Sequence, residues 1–152
     1  MERVCSFFGH RDAVLTNDEK IKLTNVILDL IENKNTIHFY FGGFGDFDQL
    51  CWEIVNEIKK IHPQINRYYC LEDARYQNER KRPKWLRNED FEDFLYLTPD
   101  NTYWVNRIFF RNREMIKNSD YVIFYIRKVV KESGACKAYY FAQKILKNII
   151  LI

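Results

Sequence analysis

The stretch TIHFYFGGFGDFD, residues 36–48, indicates the fold because it joins a strand to a helix through a glycine-rich loop. Its first six residues are β-branched or aromatic, which is typical of a strand, and the two glycines that follow end that strand. A helix is predicted from about Asp46 to Lys60, since apolar residues recur there at helical spacing. A strand followed by a helix is the unit from which parallel sheets are built.

The same alternation continues on both sides of this unit. Further strands are predicted at 3–8, 65–71, 121–126 and 149–152, and further helices at 17–33, 99–118 and 133–147. A capping box, Thr16 with Glu19, marks the start of the first helix. The pattern predicts one α/β domain, 1–152, with a three-layer, Rossmann-like parallel sheet and helices on both faces.

One segment, 73–98, breaks the alternation. It is dense in charge and has little periodicity, so we interpret it as a charged insertion: a long loop or a partly helical segment. Thr98 and Pro99 then supply an N-cap and a proline at the first helical position, which predicts that the next helix starts there.

Composition excludes several classes of function. The net charge is +3, too small to argue for nucleic acid, and the chain has no apolar run of the roughly 20 residues that a membrane span needs. The N-terminus has no signal-peptide pattern, so a cytoplasmic protein is predicted. None of the four cysteines forms a CxxC pair or has a histidine at zinc-ligand spacing, so we expect buried free thiols and no metal.

The five glycines direct attention to a possible site. They lie at 9, 42, 43, 45 and 134, all after predicted strands. Ligands of parallel sheets bind at the carboxyl ends of the strands. The predicted ligand-binding residues come from these loops and from the helix before the 121–126 strand: Gly9, His10, Arg11, Gly42, Gly43, Gly45, Asp46, Asp48, Arg111, Arg113, Ser133, Gly134 and Lys137.

Each acidic or basic residue of the first two loops has two interpretations. The loop of glycines 42–45 lets a ligand approach the backbone, and the helix start after it suits phosphate. Asp46 either lies in that site or caps the helix with Gln49 as partner, and Asp48 either binds a ribose hydroxyl or belongs to an ordinary helix start. His10 and Arg11 either contact a ligand or form a solvated turn.

The predicted binding residues after position 110 also have two interpretations each. Ser133 and Gly134 either present backbone amides to a phosphate or form a plain N-cap, and Lys137 either reaches an anion or is solvated. Arg111 and Arg113 either bind the ligand or complement the dipole at a helix C-terminus. The many aromatic residues, Tyr103 and Trp104 among them, are interpreted as core rather than as base-stacking groups.

Four motifs together resemble a known family: FGHR (8–11), GGFGDFD (42–48), RNREMIKNSDYVIFY (111–125) and SGACKAYYFAQK (133–144). They resemble the DUF1273, or YspA/YpsA-related, branch of the SLOG superfamily, over nearly the whole chain except 73–98. That superfamily includes LOG-type phosphoribohydrolases, the DprA core and nucleotide-sensing domains of anti-phage systems.

The resemblance implies a Rossmann-like domain that binds a nucleotide or nucleotide-derived ligand, cyclic ADP-ribose-like molecules included. The implied role is a sensor or a signal-sequestering module in phage–bacterium conflict. A homo-oligomer, a nucleotide-type small-molecule partner and no cofactor are expected with it.

Catalysis is the alternative function. Arg111 fits the arginine of the LOG enzymes, but their glutamate position falls on Ala138, so we expect a binder rather than an enzyme. An N-glycosidic-bond hydrolase or transferase would need another carboxylate, and the candidates are Glu132, Asp46 and Asp48. Ser133 and Ala135 also depart from the glycine-glycine-threonine usual in the branch.

Overall fold

The computed structural model describes residues 1–43, 45–72, 84–127 and 133–152. Strands alternate with α-helices along these ranges, except that only a 3₁₀ turn is described between the third and fourth strands. The strands are β1 (Arg3–Gly9), β2 (Thr36–Phe41), β3 (Asn66–Leu71), β4 (Asp93–Tyr96), β5 (Tyr121–Tyr125) and β6 (Asn148–Leu151). The helices are α1 (Asn17–Lys34), α2 (Asp46–Lys59), α3 (Arg107–Lys117) and α4 (Gly134–Lys144), with short 3₁₀ turns at Asn88–Asp90 and Trp104–Asn106.

All strand pairs are parallel, and the sheet has the order β4-β3-β2-β1-β5-β6. The predicted α/β, Rossmann-like fold is therefore confirmed. From β1 the chain builds the sheet outward through β2, β3 and β4, and it then returns to the other side of β1 with β5 and β6. The order of the strands thus reverses at β1, in the centre of the sheet.

Two apolar layers cover the sheet, one on each face. Successive strand residues face opposite sides, and the neighbours Phe7 and Phe8 show this. The Phe7 ring stacks on Phe41 at 5.3 Å in the layer under α1 and α2. The Phe8 ring stacks on Phe124 at 5.7 Å in the layer under α3 and α4, where Met115 is fully buried.

The start of α1 agrees with the sequence. Thr16 is its N-cap: the Thr16 hydroxyl accepts a hydrogen bond from the Glu19 amide at 3.2 Å, and the Glu19 carboxylate accepts one from the Thr16 amide at 2.9 Å. The predicted capping box is confirmed. Two otherwise unsatisfied amides at the helix start gain partners in this way.

The prediction of an insertion without a strand at 73–98 is wrong for the part of that segment that the structure describes, 84–98. Asp93–Tyr96 is an edge strand that pairs with β3. Glu92, just before this strand, holds it next to β3. The Glu92 carboxylate lies 3.0 Å from both Lys59 Nζ and Arg67 Nη2. The sequence did not predict this strand because the segment around it is highly charged and because four residues are too few to show a periodic pattern.

The predicted helix start at Thr98-Pro99 is also wrong. α3 begins eight residues later, at Arg107, after a 3₁₀ turn. The Thr98 side chain is buried, and its hydroxyl donates a hydrogen bond to the Glu72 carbonyl at 2.9 Å. Thr98 therefore holds the exit of β4 against the end of β3, and a tertiary contact has replaced the local cap.

Candidate functional site

A pocket of about 470 Å³ opens beside β1 at the carboxyl ends of the strands, where the strand order reverses. That is the place where open parallel sheets bind ligands, and the volume lies within the usual range of roughly 300–1,000 Å³. The pocket is lined by residues of β1 and its following loop, the end of β2, α2, α3 and the start of α4: Phe7, Phe8, Gly9, His10, Arg11, Asp12, Gly42, Asp48, Ile108, Arg111, Asn112, Ser133, Gly134 and Ala135.

The structure brings together eight of the residues predicted to bind a ligand: Gly9, His10, Arg11, Gly42, Asp48, Arg111, Ser133 and Gly134. Arg113 and Lys137 line a neighbouring groove instead. Gly43, Gly45 and Asp46 lie outside the described lining of both. Glu132 lies outside the described residues.

Arg111 is buried in the wall between the pocket and the sheet, with an exposed fraction of 3%. Its Nη1 donates hydrogen bonds to the carbonyl oxygens of Gly42 at 2.9 Å and Cys70 at 3.2 Å. Its Nη2 donates to Asn112 Oδ1 at 2.8 Å. Arg111 therefore ties the ends of β2 and β3 to α3. The interpretation of Arg111 as a helix C-terminal cation is wrong, because it lies in the middle of α3.

Glu72 is a buried carboxylate that the sequence analysis missed. Its exposed fraction is 1%, and its Oε2 lies 3.5 Å from Arg111 Nη1. Two residues earlier, burial raises the pKa of the Cys70 thiol to about 12, and the positive charge of Arg111 opposes that rise only in part. The signal that was available is the position of Glu72 directly after the strand that ends in Cys70-Leu71.

The β1 loop is held against two other elements. The Asp46 amide donates to the Arg11 carbonyl at 2.8 Å, and the backbone amide of Arg127 lies 3.2 Å from His10 Nε2, which accepts if that nitrogen is unprotonated. Arg127 also forms an ion pair with Glu19 and lies over the Tyr125 ring at 4.6 Å. The loop after β1 is therefore held directly by the start of α2 and by Arg127, whose side chain in turn pairs with Glu19 in the first turn of α1.

Asp46 is not the cap of α2. The N-cap is Gly45, whose carbonyl accepts a hydrogen bond from the Gln49 amide at 3.2 Å, and Gln49 donates its side-chain amide to Glu53. The predicted pairing of Asp46 with Gln49 is wrong because the glycine, at φ 94°, takes the cap position. Asp48, with an exposed fraction of 8%, lies in the first turn and lines the pocket.

Most of the glycines serve contacts within the protein. A Cβ on Gly42 would lie 2.7 Å from Arg111 Nη2, one on Gly9 would collide with the Phe47 ring, and one on Gly43 would lie 2.6 Å from the Tyr69 ring. Gly134 differs, since a Cβ there would meet no atom of the described residues within 4 Å. The sequence predicts that all five let a ligand approach the backbone, but only Gly134 lacks a close contact of this internal kind among the described residues.

Ser133 acts as the N-cap of α4. Its hydroxyl accepts a hydrogen bond from the Cys136 amide at 3.1 Å. The helix start nevertheless forms the pocket wall, because Ser133, Gly134 and Ala135 all line the pocket. Amides at the start of a helix have no partner within the helix, and the helix dipole adds positive potential there. The capping role and a position at the site therefore coexist.

The aromatic residues do not all belong to the core. Tyr69 is buried, as expected, but Tyr103 and Trp104 are exposed, with fractions of 66% and 62%. The assignment of these two to the core is wrong, because they lie in the turn before α3 rather than on a strand.

Within the described ranges, no group of three or more histidine, cysteine or acidic side chains could hold a metal ion. No described helix is both long enough and apolar enough to cross a membrane. Ala138 is buried in the apolar layer under α3 and α4. The carboxylates of the described pocket lining are Asp12 and Asp48.

Comparison with known proteins gives the fold alone. No family model matches the sequence, and no curated protein matches it either. Among solved structures, the chain is similar to the X-ray structure of TM1055, a structural genomics target. That similarity has a TM-score of 0.56 and 14% sequence identity, and it covers 97% of this chain and 72% of that one.

Proposed function

We propose that this protein binds a nucleotide or nucleotide-derived molecule in the pocket at the switch point, as a sensor or as a module that sequesters a signal. One observation carries the proposal: residues from three separate strand-end loops, around Gly9, Gly42 and Gly134, line a single pocket of suitable volume. Such crevices are where parallel sheets bind nucleotides.

The lining offers groups for each part of such a ligand. The Asp48 carboxylate accepts hydrogen bonds from sugar hydroxyls, as acidic residues do in dinucleotide folds. The start of α4 at Gly134 suits a phosphate, because free amides and the helix dipole act together there. Phe8 and Ile108 supply apolar surface, and Arg11, on the exposed rim, adds a cation.

The resemblance to the SLOG superfamily stays a prediction, and with it the ligand class and the role in phage–bacterium conflict. The buried Ala138 supports a binder over a LOG-type enzyme, because an alanine supplies no carboxylate to the reaction. A homo-oligomer in the cytoplasm belongs to the same proposal.

Titration calorimetry with AMP, ADP-ribose, NAD and cyclic ADP-ribose tests the proposal. We expect at least one to bind, with affinity reduced about tenfold or more in Asp48→Asn, since a hydrogen bond to a charged group contributes about 1.5–3 kcal/mol. Asp18→Asn is the matched control, because Asp18 is an exposed aspartate in the first turn of α1. Binding by none of these molecules, with the fold intact by circular dichroism, would refute the proposal.

The alternative is an enzyme that cleaves or transfers at an N-glycosidic bond. The observation in its favour is the buried position of Asp48 in the pocket. Chromatography of the same nucleotides after incubation separates the two functions. A binder returns the ligand unchanged, whereas an enzyme releases free base or transfers it, and Asp48→Asn would abolish that release.

A further inference from the structure

A small groove lies between α3 and α4, directly beside the pocket. Three residues, Ile108, Asn112 and Gly134, line both cavities, so the two share a wall. We call it the α3–α4 groove. At about 170 Å³ it is well below the roughly 300–1,000 Å³ of an independent ligand site. Its size and its shared wall make it an extension of the pocket rather than a separate site.

The charges of the two cavities differ. The described lining of the pocket combines Arg11 and Arg111 with the carboxylates Asp12 and Asp48. The described lining of the α3–α4 groove has two cations, Arg113 and Lys137, and no carboxylate. An anion is therefore favoured in the groove, whereas the pocket also suits hydroxyl groups and other donors.

Arg113 is held in place by aromatic rings. Its guanidinium carbon lies 4.6 Å from the centre of the Phe141 ring, 5.5 Å from that of Phe110 and 5.7 Å from that of Phe109. Contacts with ring faces stabilise the charge but accept few of its N–H groups. The Arg113 Nε is buried and has no hydrogen-bond acceptor among the described residues. A guanidinium held in a fixed position at the wall of the groove suits a phosphate, because its N–H donors are positioned in advance.

Lys137 and Gly134 complete the arrangement. Lys137 lies one turn into α4, three residues after Gly134, and both line the groove. Gly134 also lines the pocket, so the start of α4 stands between the two cavities. Arg113 and Lys137 therefore lie on the groove side of this helix start, where they would face a phosphate bound to it.

We propose that the α3–α4 groove is a second anion subsite that takes a further phosphate group of the same ligand. The ligand then carries two or more linked phosphates, with its nucleoside part in the pocket. The nucleoside part of this inference rests on the proposed function, but the phosphate subsite is testable without it.

Inorganic ions separate the subsite from nucleoside recognition. Calorimetry with phosphate, pyrophosphate and tripolyphosphate should show affinity rising about tenfold or more from phosphate to the longer ions. Lys137→Ala and Arg113→Met should remove most of that rise. Methionine keeps the length and apolar contacts of Arg113, and Lys137 is exposed, so at least one of the two variants should stay folded.

Lys144→Ala is the matched control, because Lys144 is exposed on the same helix, two turns after Lys137, and lies outside the described lining of the groove. It should keep the rise with phosphate number. Equal loss in Lys144→Ala would mean a general attraction to positive charge and would overturn the inference. Equal affinity for all three ions in the unmodified protein would overturn it as well.

The series AMP, ADP and ATP distinguishes the two proposals. If AMP binds as tightly as ADP and ATP, the second subsite is refuted and the nucleotide pocket stands. If polyphosphates bind with the expected pattern but the nucleotides, ADP-ribose, NAD and cyclic ADP-ribose do not, the subsite stands and the proposed nucleotide function is refuted. Absence of binding by every ion and nucleotide refutes both.

Discussion

The Arg111 side chain, from α3, packs directly against the backbone of Gly42 after β2. Arg111 Nη1 donates to the Gly42 carbonyl at 2.9 Å, and the space that a Gly42 side chain would occupy is filled by the guanidinium, since a Cβ there would lie 2.7 Å from Nη2. The glycine at the end of β2 is therefore required by an arginine 69 residues later. Both residues line the candidate pocket.

Gly42→Ala should destabilise the protein. The new methyl group displaces the Arg111 guanidinium from its carbonyl partners, and overpacking of this kind costs about 1–3 kcal/mol. The free energy of unfolding, measured by urea denaturation, should fall by that amount. Gly134→Ala is the matched control and should leave it unchanged or slightly raised, because a Cβ at Gly134 meets no described atom within 4 Å and alanine favours a helix. Equal stability of Gly42→Ala and the unmodified protein would contradict the packing described.

Arg111→Met should be more severe. It removes the hydrogen bonds to Gly42 and Cys70, and it takes a positive charge away from the buried carboxylate of Glu72. Loss of one partner of a buried ion pair costs about 3–5 kcal/mol. The double variant Arg111→Met/Glu72→Gln should be more stable than Arg111→Met alone, because the buried negative charge is then gone as well. A double variant no more stable than Arg111→Met would show that the charge of Glu72 is compensated elsewhere.

Glu92 should make stability depend on pH. Burial raises its pKa, but hydrogen bonds from Arg67 and Lys59 outweigh that effect, so the pKa lies below its ordinary value of 4.5. Its contribution is therefore complete above about pH 4.5 and is lost as the pH falls through the lower, folded-state pKa. Glu92→Gln should reduce the free energy of unfolding by about 1 kcal/mol at pH 7, and the difference from the unmodified protein should vanish in acid.

The control for this titration is Glu57→Gln, which removes a more exposed carboxylate that pairs with Lys60. We expect it to change stability by less than about 0.5 kcal/mol at any pH. Urea denaturation between pH 3 and pH 7 measures both variants. A loss in Glu92→Gln that stays constant across this range would mean that packing, rather than charge, holds β4.

The four cysteines should be unreactive in the folded protein. All are free and buried, as the sequence predicted. Burial raises the pKa of Cys5, Cys51 and Cys70, so little of the reactive thiolate forms at neutral pH. An aromatic disulfide reagent should label none rapidly in buffer and all four in denaturant. One fast-reacting thiol in buffer would contradict the burial of these side chains.

The sequence alone determined the fold and the edge of the sheet that carries the pocket. Alternation of apolar strands with amphipathic helices gave the parallel architecture, since each element must bury its apolar face. The loops after β1, β2 and β5 converge because carboxyl ends of parallel strands meet at one edge. Eight of the predicted binding residues, His10 and Asp48 among them, therefore line one pocket.

The sequence predictions were wrong where a tertiary contact overrides the local sequence pattern. Thr98 has the sequence context of a cap but donates to the end of β3 instead. The strand Asp93–Tyr96 is held by pairing with β3 and by the ion pairs of Glu92, neither of which leaves a periodic pattern in four residues. Local propensity is a weak guide when a neighbouring strand supplies the hydrogen bonds.

Only the tertiary structure decided what the glycines and arginines do. Sequence spacing places a glycine at a strand end, but whether its missing side chain leaves room for a ligand or for another residue depends on what packs there. At Gly42 that residue is Arg111, whereas at Gly134 no described atom fills the space. Arg113 and Lys137 likewise line the α3–α4 groove beside the pocket rather than the pocket itself, because the packing of α3 against α4 places them there and periodicity within either helix does not set that packing.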